Sequence, residues 1–266
     1  MPLEKKIVGV GGLGGSGTRL LAEALLIAGF EMGVRLNKSL DDLWFTALFK
    51  RENSYLPRQT DEITQRWNWY AALREGNRIS FLDRLRIQQY MKANGDPRIY
   101  PDPPLDTLWK SNAGPALWGW KEPNTHLFAK QLLDEQPHLH YVHMIRDGRY
   151  MVHSANQQQF NTWNHLFDIP VNVSKERQRL LFWLQANENI YQCMDFYPDR
   201  IHIIHYEELV AHPLLALSKL WEALEIKQDV QMVVDQLHFH PIKQNNCLLA
   251  LSQEEKERLA ALGYPE

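Results

Sequence analysis

The chain has 266 residues, 44% of them hydrophobic and 11% aromatic, which is enough to bury a full core, most simply as one α/β domain with insertions. Its formal net charge of -3 predicts no broad basic face and argues against nucleic acid as a partner. Two cysteines without CxxC spacing suit a reducing compartment, and no apolar run approaches eighteen residues. We therefore predict a cytoplasmic protein without stable membrane insertion.

The first recognisable element is a strand, a glycine-rich loop and a helix. Residues 7–10 form a short apolar run with three β-branched residues, five glycines follow within seven residues, and helical apolar spacing begins at Thr18. Glycines let successive amides turn toward one point, and the helix adds the positive end of its dipole, so the loop suits a phosphate or sulfate. A tight turn that only packs strand against helix is the alternative. The predicted anion-binding residues are Gly14, Gly15, Ser16, Gly17, Thr18 and Arg19.

Two common classes of phosphate loop match this stretch incompletely. A P-loop NTPase needs G-x-x-x-x-G-K-[ST], and residues 12–17 have the glycine spacing, but Thr18 and Arg19 follow. The phosphate-contacting lysine is missing. A dinucleotide fold needs G-x-G-x-x-G, which residues 9–14 satisfy, but the acidic residue expected after the second strand has only Glu31 in a weak context.

The next hundred residues predict a helical insertion at about 44–115 within a single domain spanning 1–266. Helices are predicted over 36–52, 60–75 and 79–93, the first with Ser39 and Asp42 at capping-box spacing. The aromatic residues Trp44, Trp67, Trp69 and Tyr70 fall in this part of the chain. Three aromatics within four residues cannot share one helix face, so we expect at least one to line a groove for a small-molecule, glycan or lipid acceptor.

The second half alternates strands and helices. Strands are predicted at 116–121, 140–145 and 200–205, and helices at 122–135, 148–160, 174–196, 213–224, 230–237 and 252–262. The last helix has Ser252 and Glu255 at capping-box spacing. This order predicts a three-layer α/β/α fold around a parallel sheet, with the ligand at the carboxyl ends of the strands.

Charged and polar residues follow the predicted strands. Arg146 comes at the end of one strand and Ser154 eight residues later on the predicted following helix, so a guanidinium and a hydroxyl can converge on one phosphate. A scaffold salt bridge of Arg146 with Asp147 or Glu122 is the alternative. Lys121 ends a strand of bulky apolar residues, and its ammonium either reaches solvent or is held at a site.

Four separated stretches together resemble the signatures of sulfotransferases that use 3'-phosphoadenylyl sulfate (PAPS). They are SGT at 16–18, KEP at 121–123, IRDGR at 145–149 followed by Ser154, and HYEEL at 205–209. The resemblance is closest to the branch of tyrosylprotein sulfotransferases and bacterial relatives. It implies a P-loop NTPase-like fold and the transfer of a sulfuryl group from PAPS to an acceptor hydroxyl or amine. It also implies that adenosine 3',5'-bisphosphate is released and that no metal takes part.

The resemblance also implies roles for single residues. Lys121 matches the lysine beside the bridging oxygen of the sulfate, where it stabilises charge on the leaving phosphate. Arg146 and Ser154 match the 3'-phosphate site, and Tyr206 matches the tyrosine that contacts adenine. Lys243, in the C-terminal part of the chain, is a further candidate for the nucleotide phosphate.

The chain departs from the family at two positions. Gly15 stands where relatives commonly carry lysine or arginine, so Arg19 or Lys121 must supply that charge. The relatives' glutamate or histidine base is not matched, and this chain offers Asp41 and Asp42 instead. Asp42 is the predicted capping partner of the residue at 39, so Asp41 is preferred as the base that takes the acceptor proton. Two plain helix-start acids are the alternative.

Two rival functions and a metal site are the remaining alternatives. An ATP-dependent small-molecule kinase would require magnesium and the missing lysine, and a non-enzymatic module would bind the nucleotide without transfer. The H-x-H pairs at 138–140 and 238–240, with His202, could ligate zinc. No cysteine or carboxylate spacing completes a tetrahedral set, so no metal is predicted.

Overall fold

The computed structural model describes residues 6–50, 60–77, 79–94, 115–239 and 249–265. Four strands form one sheet: β1 Lys6–Gly12, β2 Leu117–Lys121, β3 Leu139–Ile145 and β4 Ile201–His205. Their order is β2-β1-β3-β4 and every neighbouring pair is parallel. The predicted α/β class with a parallel sheet is therefore confirmed, and the last three strands begin and end within one residue of their predicted positions.

Twelve α-helices lie in the described ranges. They are α1 Thr18–Ile27, α2 Leu43–Phe49, α3 Thr60–Glu75, α4 Phe81–Asn94, α5 Ala129–Glu135, α6 Gly148–Met151, α7 Gln158–Trp163, α8 Lys175–Met194, α9 Tyr206–Ala211, α10 Pro213–Ala223, α11 Val230–Gln236 and α12 Gln253–Ala261. Short 3₁₀ turns cover Pro123–Leu127 and Asn164–Leu166.

Both faces of the sheet are covered, which confirms the predicted three-layer arrangement. Alternate strand residues pack into a core with helices α2 to α5 and α8; these are Ile7, Trp118, Trp120, Leu139 and Tyr141. The residues between them pack against α1 and α9 to α11; these are Val8, Val10, Val142, Met144 and Ile204. A parallel sheet buried on both faces needs such near-continuous apolar strands.

The register aligns the carboxyl ends of the strands. Val10 pairs with Lys121, Gly12 with Met144, and Ile145 with His205. The glycine loop, the end of β2 and the residues after β3 and β4 therefore leave the sheet at one edge, where ligands bind in open α/β sheets.

The helix predicted at 36–52 is present only as α2, Leu43–Phe49, so its predicted start and its capping box are wrong. Residues 36–42 form a loop closed by an antiparallel bridge between Leu36 and Asp42, and α2 begins only at Leu43. Asp42 is itself the N-cap, since its carboxylate accepts from the amide of Trp44. Apolar spacing does not reveal this loop, because the side chain of Asn37 bonds its backbone in place of helical bonds.

The predicted helix at 148–160 is also wrong, because it breaks into α6 and α7. Ser154 lies in the turn between them, where its carbonyl and that of Met151 accept from the side-chain amide of Gln157. The glutamine thus takes the place of the helical amides that would continue α6.

The capping box predicted at the last helix is confirmed. The hydroxyl of Ser252 accepts from the amide of Glu255, and the carboxylate of Glu255 accepts from the amide of Ser252 at 2.7 Å. Two amides that a helix leaves without partners are satisfied in this way, so α12 begins where the local pattern predicts.

The aromatic residues of the insertion form core instead of a groove. Trp67, Trp69 and Tyr70 are all buried, so the prediction that at least one lines an acceptor groove is wrong. The ring of Trp67 lies 6.1 Å from that of Trp118 and 5.5 Å from that of Trp120, because the bulky residues of β2 need an aromatic cover. The assignment of 1–266 to one domain with an insertion at about 44–115 stays a prediction.

Candidate active site

The loop after β1 is shaped by its glycines. Gly12, Gly15 and Gly17 have φ values of 147°, 97° and 99°, in the region that favours glycine. Gly17 is the N-cap of α1, and a Cβ there would collide with the ring of Tyr206. The chain therefore needs glycine at these positions, and it presents the start of a ten-residue helix to the edge of the sheet.

Polar groups of this loop differ in what they can offer a ligand. Ser16 is buried, and its hydroxyl oxygen has no hydrogen-bond partner among the described residues. A buried hydroxyl without a partner is costly, so its place suits an anion that accepts from it. Thr18 is also buried, whereas Arg19 is exposed and pairs with Glu23 at 2.9 Å.

Gln159 on α7 forms a hydrogen bond to the same loop, and the sequence analysis did not identify it as a site residue. Its Oε1 accepts from the amide of Gly14, and its Nε2 donates to Oδ1 of Asn124 at 3.1 Å. Asn124 in turn donates to Glu122 at 2.7 Å, and burial raises the pKa of Glu122 to about 6. The Gly14 amide is thus engaged by protein. A signal for Asn124 existed, since it follows KEP directly, but nothing marked Gln159.

Lys121 is held at the site and does not reach solvent. Its side chain is 4% exposed, and Nζ donates to Oδ1 of Asp41 at 2.5 Å and to the carbonyl of Ser39 at 3.0 Å. The structure therefore brings together the predicted base and the predicted catalytic cation as an ion pair.

Asn37, which sequence reasoning also missed, holds the other oxygen of Asp41. Its Nδ2 donates to Oδ2 of Asp41 at 2.9 Å, while its Oδ1 accepts from the amides of Ser39 and Asp41 at 2.8 and 2.9 Å. An asparagine four residues before an aspartate is a weak signal, because such side-chain turns are common in loops.

Asp42 has different surroundings from its neighbour. It is fully buried, and its carboxylate accepts from the hydroxyl of Tyr70 at 2.7 Å and from the amides of Trp44 and Val34. Burial raises the pKa of Asp42, and the bond from Tyr70 opposes that rise. Its own amide donates to the carbonyl of Lys121 at 2.9 Å. This geometry suits an anchor between the loop and β2, and it gives an acceptor no access to the carboxylate.

Arg146 and Ser154 converge on Gly15. Nη1 of Arg146 donates to the carbonyl of Gly15 at 3.2 Å, and a Cβ on Gly15 would lie 3.5 Å from the hydroxyl of Ser154. Among the described residues no carboxylate lies within ion-pair distance of Arg146, and Asp147 pairs instead with Arg149 at 2.8 Å. The alternative of a scaffold salt bridge is therefore not what the structure contains.

Tyr206 closes one side of this site. The guanidinium of Arg146 lies 4.7 Å from the centre of its ring. Beside it, a cavity of about 460 Å³ is lined by Gly17, Tyr206, Leu237 and His238. Pockets of this size bind ligands as large as a nucleoside. Lys243 lies outside the described residues.

Two of the histidines considered for zinc, His140 and His202, bond to each other. Nδ1 of His140 and Nε2 of His202 lie 3.1 Å apart and share a hydrogen bond between neighbouring strands. His240 falls outside the described ranges. Within those ranges, no three histidine, cysteine or carboxylate side chains group as a metal site would require.

The sequence of this chain is similar to those of known sulfotransferases. A family model described as Sulfotransferase family matches residues 8–229. The Protein-tyrosine sulfotransferase of Drosophila melanogaster is 31% identical over 107 residues, 40% of this chain and 20% of that protein. Protein-tyrosine sulfotransferase 1 of Danio rerio is 37% identical over 91 residues, 34% of this chain and 24% of that protein. The chain thus spans a quarter or less of these two relatives.

A solved structure shares the fold. The sulfotransferase domain of the Synechococcus PCC 7002 olefin synthase has a TM-score of 0.50 and 15% identity, covering 99% of this chain and 96% of that one. At such identity the likeness concerns fold alone.

The predicted cytoplasmic location is wrong in the light of the curated relatives. The protein-tyrosine sulfotransferases that the chain matches are Golgi membrane enzymes. A low cysteine count did not identify the compartment. Separately, none of the helices in the described ranges is both long and apolar enough to cross a membrane.

Proposed function

The chain belongs to the sulfotransferase family, and we propose that it transfers a sulfuryl group from PAPS to an acceptor hydroxyl or amine, releasing adenosine 3',5'-bisphosphate. The convergence of Arg146 and Ser154 on Gly15 carries this proposal, because it joins a cation and a hydroxyl to the anion loop. The match to this family argues against the ATP-dependent kinase.

The residues proposed to bind the donor lie at the edge of the sheet where the strands have their carboxyl ends. The amides of Gly15 and Gly17 and the hydroxyls of Ser16 and Thr18 would hold the 5'-phosphosulfate; the unpartnered hydroxyl of Ser16 supports this fit. Arg146 and Ser154 would hold the 3'-phosphate. Adenine would lie beside Tyr206 in the adjoining cavity, with Lys243 a further candidate for a phosphate.

The chemistry assigns opposite tasks to Asp41 and Lys121. Asp41 takes the proton of the acceptor hydroxyl while the oxygen of that hydroxyl attacks sulfur. The bond from sulfur to the bridging oxygen breaks, and its electron pair leaves on the 5'-phosphate of adenosine 3',5'-bisphosphate. Lys121 stabilises that developing charge. Arg19 pairs with Glu23, so Lys121 is the better replacement for the cation missing at Gly15.

The ion pair of Asp41 and Lys121 has a consequence for this scheme. While they are paired at 2.5 Å, each neutralises the other. Productive binding of PAPS therefore has to draw Lys121 toward the sulfate, which frees Oδ1 of Asp41 for the acceptor proton.

The acceptor is proposed as a hydroxyl compound. A tyrosine side chain in a peptide is the first to test, because two curated relatives are named protein-tyrosine sulfotransferases. Small phenols, sugars and lipid head groups follow.

A ligand comparison tests the donor class. Adenosine 3',5'-bisphosphate should raise the melting temperature without magnesium, and ATP with magnesium should do so much less, because only the former carries a 3'-phosphate. Equal shifts would count against PAPS as donor. Transfer of ³⁵S from labelled PAPS to a tyrosine-containing peptide or to 2-naphthol tests the reaction. Nucleotide binding without any transfer would support a non-enzymatic module.

A further inference from the structure

We propose that Asn37 is a positioning residue for the base, keeping the Asp41 carboxylate in place after Lys121 leaves it. The inference rests on the proposed function, and it concerns a residue that no motif of the chain marks.

The side chain of Asn37 has two separate tasks. Its oxygen accepts from the amides of Ser39 and Asp41, which shapes the loop before α2. Its nitrogen donates to Oδ2 of Asp41 at 2.9 Å. One end thus supports the backbone, and the other end touches the carboxylate that the reaction uses.

The second task matters once the donor binds. In the ion pair, Lys121 holds Oδ1 and Asn37 holds Oδ2. When Lys121 turns to the sulfate, the bond from Asn37 remains and restricts rotation of the carboxylate. A base must stay within hydrogen-bond reach of the proton that it removes, and small misplacements are costly.

A neutral donor suits this task better than a charged one. The charged or titratable groups around the Asp41 carboxylate include Lys121, which is paired with it, and Glu122, which interacts electrostatically with both Asp41 and Lys50. Asp42 turns inward to the core. A second fixed cation bonded to Asp41 would keep the carboxylate paired during turnover. The amide of Asn37 orients the carboxylate without neutralising its charge.

The two tasks can be separated by substitution. Asn37→Asp keeps an oxygen for the amides of Ser39 and Asp41 but loses the nitrogen donor, while Asn37→Ala loses both. Asn37→Ser, a shorter side chain that also keeps an oxygen, is the second variant if Asn37→Asp does not fold. The matched control is Asn77→Ala, because Asn77 makes the same kind of bond to Glu75 at 3.0 Å.

The assay measures ³⁵S transfer from labelled PAPS to a tyrosine-containing peptide and to 2-naphthol, with melting temperatures for every variant. We expect Asn37→Asp to lower kcat by about 10- to 100-fold while KM for PAPS changes little. Its melting temperature should fall because the new carboxylate repels Asp41, and Asn37→Ser, which adds no charge, should lower kcat without that repulsion. The pH below which kcat/KM of Asn37→Asp falls should rise, since a second carboxylate beside Asp41 favours protonation. Asn77→Ala should match the wild type.

Two failures are distinguishable. If the wild type transfers sulfuryl groups and folded Asn37→Asp or Asn37→Ser keeps kcat within about threefold with an unchanged pH profile, Asn37 only shapes the loop and the inference is overturned. If the wild type transfers to neither acceptor, nor to a sugar or lipid head group, and adenosine 3',5'-bisphosphate does not raise its melting temperature, the proposed function falls and the inference falls with it.

Discussion

Oδ1 of Asp41 and Nζ of Lys121 lie 2.5 Å apart, in an ion pair whose lysine is almost wholly buried. The two groups come from a loop before α2 and from the end of β2, so this contact joins the insertion side of the molecule to the sheet. In the proposed reaction, Asp41 takes the acceptor proton and Lys121 stabilises the charge on the leaving phosphate.

Lys121→Ala tests the charge. If Lys121 stabilises the leaving phosphate mainly in the transition state, kcat should fall by about 10²-fold or more, while affinity for adenosine 3',5'-bisphosphate stays within a few fold. Steady-state transfer rates and calorimetry measure the two. Lys130→Ala is the control, because Lys130 forms an exposed pair with Asp134. A normal kcat in Lys121→Ala would remove Lys121 from the mechanism.

Asp41→Asn and Asp42→Asn separate the neighbouring acids. Loss of the base should lower kcat by about 10²-fold or more with the fold intact. Loss of the buried Asp42 carboxylate, which accepts from Tyr70 and Trp44, should cost about 1 to 3 kcal/mol of stability with kcat largely kept. Urea unfolding and transfer rates measure both. An inactive but stable Asp42→Asn would show that the wrong acid was chosen.

Arg146→Ala tests recognition of the 3'-phosphate. A charge-assisted hydrogen bond contributes about 1.5 to 3 kcal/mol, so PAPS binding should weaken by about 10- to 100-fold, whereas adenosine 5'-phosphosulfate should bind nearly as before. The ratio of the two affinities cancels general damage to the fold. Arg149→Ala, which removes the partner of Asp147, should leave that ratio unchanged. Equal weakening of both donors would make Arg146 a scaffold residue.

Because the protein buries neutral histidines, we expect its stability to fall as the pH is lowered. Burial lowers the pKa of His143 to about 3, below the unfolded value of about 6.5. The unfolded chain therefore binds the proton first, and stability drops as pH falls from about 6.5 toward 3. One such histidine lowers the free energy of unfolding by about 2 kcal/mol between about pH 6.5 and 5. Urea unfolding at both pH values should show a smaller loss in His143→Gln, and the exposed His138→Gln is the control. An unchanged loss in His143→Gln would show that His143 does not cause it.

Much of the fold could be predicted from local pattern. The β-branched run before the glycine loop, the alternation of strands with helices and the capping box at Ser252 are properties of neighbouring residues. These features form locally, because helical hydrogen bonds, caps and apolar spacing involve residues only a few positions apart in the chain. The same reasoning failed at 36–52, where the Asn37 side chain competes with the helix.

The sequence by itself determined the strands, most of the helices, the anion loop and the residues at the strand ends. Only the tertiary structure decided which of them meet. Asp41 and Lys121 are 80 positions apart, and Gly14 and Gln159 are 145 apart. Such contacts form because a parallel sheet carries distant strand ends to one edge, and a single sequence holds no local trace of that arrangement.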